Sequence, residues 1–82
     1  MRFIYITFRS VTGAMDAKAM LERRGMIAVL RRTPEALRSR GCGYSLRLRL
    51  ADGQTADHLL TNIRFEKIFL ETAQGKWQEV VL

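Results

Sequence analysis

The chain has 82 residues, enough for one hydrophobic core, so a single domain over residues 1–82 is expected. With 48% apolar residues, one proline, six glycines and one cysteine, it holds no linker, low-complexity segment or internal disulfide framework. The net charge of +6 is uneven, with eleven Lys/Arg against three Asp/Glu in residues 1–50 and three against five thereafter, a field that attracts anions in general.

In chain order, "RFIYITFR" has the β-branched and aromatic composition of a strand. Its apolar run ends at Arg9, too short for a signal peptide's apolar core or a membrane span, so cytoplasmic residence without membrane contact is expected. Ser10 or Thr12 caps a helix in which Ala14, Ala17 and Leu21 share one side and Gly25 ends the run. "MIAVLR" reads as a second strand, and "TPEALRSR" as a helical turn opened by Thr33 and Pro34. "YSLRLRL" alternates strictly and is the clearest strand. Asp52 offers a cap for a second helix whose core stripe is Ala56, Leu59, Leu60 and Ile63. "EKIFLET" is a fourth strand, and "KWQEVVL" a short fifth strand or hairpin arm. This order predicts an α+β, ferredoxin-like βαββαβ sandwich, an antiparallel sheet with two helices on one face, plus a C-terminal arm over about residues 73–82.

Such an order is shared with RNA-recognition modules, whose third strand carries a Lys/Arg-Gly-aromatic-Gly/Ala signature. Arg40, Gly41, Gly43 and Tyr44 fit it, and Tyr5 offers a stacking ring on the first strand. Parity opposes the match. Tyr44, Leu46, Leu48 and Leu50 share one face of their strand, so Tyr44 is expected in the core instead of on the open sheet surface. The open face is expected to show Tyr5, Thr7 and Arg9 beside Arg47 and Arg49: a basic surface with one ring, suited to nucleic acid, a small anion or an acidic protein, or simply solvated.

The stretch "RGCGYSLRLRL" holds the sole cysteine, Cys42. Gly41 and Gly43 let the backbone bend around it, and nearby Arg38 and Arg40 favour the thiolate. A lone cysteine is also commonly a small buried hydrophobe, and that reading stays open. One cysteine and one histidine, His58, supply no metal cluster, and "GCG" is no phosphate loop. Trp77 reads as a packing anchor or a dimer contact, and Met15, Met20 and Met26 as core filler.

"YITFRSVTGAMDAKAMLERRGM" followed by "TPEALRSRGCGYSLRL" resembles the selenium/sulfur carrier protein-like family of small bacterial and archaeal domains. The resemblance rests on Thr7, Phe8, Arg9 and Ser10 closing the first strand, on Ala14, Leu21 and Gly25 in the helix, and on Pro34 leading to the Cys42-Gly43 pair; it covers about residues 4–70. It implies a carrier; whether the chain is an enzyme stays open, a carrier or binding protein being expected first, and no cofactor is expected. Cys42 would hold sulfur or selenium as a persulfide or selenosulfide between donor and acceptor proteins. Arg9 and Ser10 would bind an anion or the loaded sulfur, and the basic face would dock the donor or acceptor. Arg9, Ser10, Arg40, Gly43, Arg47 and Arg49 are together the expected anion- or partner-binding residues, and a homodimer is a further expectation.

Overall fold

The computed structural model describes residues 2–38, 43–50, 55–72 and 75–81, the side chains of residues 56 and 57 excepted. The elements are β1 (Arg2–Thr7), α1 (Val11–Arg23), β2 (Ala28–Arg32), a 3-10 turn (Glu35–Leu37), β3 (Tyr44–Leu50), α2 (Ala56–Leu59), β4 (Lys67–Glu71) and β5 (Trp77–Val80). The five strands form one antiparallel sheet in the order β2-β3-β1-β4-β5. The result is a small α+β structure dominated by one helix and a five-stranded sheet.

Strand alternation sets the core. Ile4 lies between Leu48 and Leu70, and Ile6 between Leu46 and Ile68, so one sheet face is a continuous aliphatic surface. Ala14, Ala17 and Leu21 of α1 are buried in the same cluster as these strand residues. The two alanines, spaced three apart, bring the helix close to the sheet.

Both ends of α1 follow from short-range chemistry. The Ser10 Oγ accepts the Gly13 N–H at 3.0 Å, which caps the helix as expected. At the other end Gly25 adopts φ 82, its N–H donates to the Glu22 carbonyl and the Met26 N–H donates to the Leu21 carbonyl. That pair of bonds closes a helix through a left-handed glycine, and Met26 then packs against the core.

The second helix differs from expectation. It is the single turn Ala56–Leu59, and Asn62 at φ 65 turns the chain away directly afterwards. The Asp52 cap lies outside the described residues. Leu59, Leu60 and Ile63 are nevertheless buried, so the apolar stripe is met by a turn rather than a full helix. Arg24 holds this turn in place: its Nη1 donates to the Leu59 carbonyl and its Nη2 to the Thr61 carbonyl, each at 2.8 Å.

Two further expectations are corrected. Tyr44 is 39% exposed and not in the core. The paired run of β1 and β3 stops at Thr7 and Ser45, so Tyr44 has a strand neighbour, Arg32, on one side only. Nor does the sheet face away from α1 carry one ring. Phe3, Tyr5, Phe69 and Trp77 share that face by register, together with Glu71 and Glu79. Tyr5 is only 6% exposed, with the Trp77 ring edge-on at 4.8 Å between centroids. Of the methionines read as core filler, Met20 and Met26 pack against the core while Met15 is exposed.

Candidate functional site

Cys42 and Arg40 lie outside the described residues, as does Gly41. The flanks of that segment are described. Thr33, just past β2, donates its N–H to the Gly43 carbonyl at 2.8 Å and so fixes where β3 begins. The 3-10 turn sends Arg38 back over this point: a Cβ built on Gly43 would stand 3.5 Å from the Arg38 Nη2. Arg32, Thr33, Arg38, Gly43 and Tyr44 line a recess of about 350 Å³ there. The recess contains the chain neighbour of Cys42 and is cationic, its charges coming from Arg32 and Arg38.

Arg9 and Ser10 line a different recess of about 550 Å³, with Gly13 and Arg64 on its wall and Phe8 and Ile63 on its floor. The two recesses have no described lining residue in common, although the Thr7–Ser45 pairing brings the ends of β1 and β3 that lead to them side by side. The Thr-Phe-x-Ser stretch has structural duties of its own. The Thr7 Oγ1 accepts the Lys67 N–H at 3.1 Å, clamping the end of β1 to the start of β4. Phe8 is buried in the core, and the Ser10 Oγ is occupied as the helix cap. Arg9 is exposed, with its Nε 4.0 Å from a carboxylate oxygen of Glu66.

Arg47 and Arg49 stand on the open sheet face, away from both recesses. Arg47 is held there by its neighbours. Its guanidinium lies 3.7 Å from the centre of the Phe3 ring and 3.5 Å from a Glu71 oxygen. Lys67 and Glu79 pair on the same face at 3.9 Å. The face is therefore a tray of rings laced with paired charges, more mixed in sign than an open basic surface. Reading alternation through "EKIFLET" as well as "YSLRLRL" would have found Phe69 and Glu71, which sit on the side opposite Ile68 and Leu70.

Arg32 and Thr33 were not singled out by the sequence as site residues, since an arginine after an apolar strand and a threonine before proline carry no chemical signature. Only the fold, by pairing Arg32 with Tyr44, brings them to the recess. His58 is exposed on α2. Among the described residues no group of three or more His, Cys, Asp or Glu could hold a metal ion, and no helix is long and apolar enough to cross a membrane.

Comparison with known proteins returns no curated protein and no solved structure that matches. One protein-family profile does match, over residues 3–70, a span that runs from the second residue of β1 to the last but one of β4, includes the position of Cys42 and stops before β5. On that match over most of its length, the chain belongs to the family described as "Putative Se/S carrier protein-like".

Proposed function

We propose that the protein carries one sulfur or selenium atom on Cys42, on a ferredoxin-like frame made by β1–β4, α1 and α2 with β5 added at one edge. The observation that carries this reading is the family match, which encloses the only cysteine in the chain. The recess at Gly43 supports it, because Arg32 and Arg38 place cationic groups at the chain neighbour of the thiol, where they favour thiolate.

The step balances without an oxidant. The Cys42 thiolate attacks the outer sulfur of a donor protein's persulfide; a new S–S bond forms, the donor's S–S bond breaks, and the donor cysteine leaves as thiolate. Cys42 then holds the persulfide. An acceptor nucleophile takes the outer atom in the same manner and returns Cys42 to thiolate. With selenium the carried species is a selenosulfide and the electron count is the same. Donor and acceptor are proteins that must approach this end of the sheet, where the exposed Arg9, just past the end of β1, supplies a cationic contact for an acidic partner face; Arg49, opposite Phe3, extends the basic surface toward the other end.

Carriage needs an accessible and nucleophilic thiol. Its test is the rate of alkylation of Cys42 by a small neutral reagent as a function of pH. Rapid reaction near neutral pH, slowed when Arg38 is replaced by Gln, is the expected result. A thiol that reacts only after unfolding would overturn the proposal.

A further inference from the structure

The recess at the start of β3 has features that carriage on Cys42 does not require. Two arginines, Arg32 and Arg38, line it, the Arg38 guanidinium lying against Gly43, and among the described residues neither has an ion-pair partner. No described carboxylate lines the recess; Glu35, the nearest acid in sequence to Arg38, meets it only through a backbone hydrogen bond. Thr33, also in the lining, is only 7% exposed, and its Oγ1 is buried without a hydrogen-bond partner. Buried hydroxyls are ordinarily matched, so an unmatched one beside two arginines that have no ion-pair partner among the described residues points to a missing oxygen-rich partner. The floor is bare because residue 43 is glycine, and Arg38 lies against that floor.

We infer that this recess binds a tetrahedral oxyanion, held by the Arg32 and Arg38 guanidinium groups and completed by the Thr33 hydroxyl. Arginine's planar fork matches two oxygens of sulfate or phosphate at once. Such an anion is either a free inorganic ion or the same group on a larger molecule. The Arg9 recess makes a poorer site, since Arg9 is paired with Glu66 and the Ser10 Oγ is committed to the helix cap.

Calorimetric titration of the full chain with sodium sulfate and with inorganic phosphate, at ionic strength fixed with chloride, tests the inference. Saturable one-site binding is expected, roughly tenfold weaker in Arg38→Gln and in Arg32→Gln because each removes a charge-assisted contact. Thr33→Val should weaken binding several-fold while keeping the fold by circular dichroism. Arg64→Gln, in the other recess, and Cys42→Ser should bind as wild type does. Retention in Cys42→Ser separates this site from sulfur carriage, so either can fail alone. Tighter binding of a phosphoserine amide than of inorganic phosphate would assign the anion to a larger molecule, and the reverse order to a free ion; both agree with the site. Absence of saturable binding, or equal weakening by Arg64→Gln and Arg38→Gln, would overturn it in favour of a diffuse basic field.

Discussion

Ser10 shows how a residue prominent in a motif can be structural. Its hydroxyl satisfies one of the four N–H groups that the start of α1 leaves without a helical partner. Ser10→Ala should therefore cost about 1 kcal/mol of stability in urea unfolding, whereas Ser10→Asp should cost much less, because aspartate caps as well. Alkylation of Cys42 should be unaffected in both. A large change in thiol reactivity with unaltered stability would instead place Ser10 at the site. The same logic separates Arg47 from Arg38. The first is engaged by Phe3 and Glu71, while the second has no ion-pair partner among the described residues.

At the scale of elements, the strands and α1 were readable in the sequence and α2 was not. The stripe of Ala14, Ala17 and Leu21, the cap at Ser10 and the closing Gly25 are local signals, each set by residues a turn or less apart. The second helix was expected from an equally regular stripe, but the turn that stands there is also tied down by a tertiary contact. Arg24, at the far end of α1, takes two carbonyls of the α2 turn, and no local pattern announces a bond between residues 35 and 37 positions apart. Arg24→Lys should lower stability by about 1 kcal/mol, since a point charge cannot serve both carbonyls as the fork does. Equal thermal midpoints for Arg24→Lys and wild type would show that packing of Leu59, Leu60 and Ile63 alone fixes the turn.

The candidate site was only half legible for a related reason. Cys42 and Gly43 announce themselves, but the recess beside them is assembled from the end of β2, the 3-10 turn and the start of β3. Alternation assigns a side chain to a face and is silent on how far the neighbouring strand extends. That is why Tyr44 was expected inside and stands at the sheet corner.

Across the whole molecule, the sheet has β2 at one edge and β5 at the other. β5 covers the outer edge of β4, and its Trp77 packs edge-on against Tyr5, yet it lies beyond the residues matched to the family. Removal of residues 73–82 should expose both the β4 edge and the Tyr5 ring. A lower unfolding midpoint and concentration-dependent association in light scattering are expected; a stable monomer would mean that β5 has no covering role. The unequal charge of the two parts of the chain acts at the same scale. The excess of Lys/Arg in residues 1–50 gives the part of the chain that carries Cys42 a positive field, which attracts anions in general.

The most direct measurement is the intact mass of the protein after incubation with a persulfide-generating desulfurase, wild type beside Cys42→Ser. A mass increase of one sulfur atom on wild type alone, removed by a thiol reductant, is the predicted result. An unmodified wild type, or the same adduct on Cys42→Ser, would contradict carriage on Cys42.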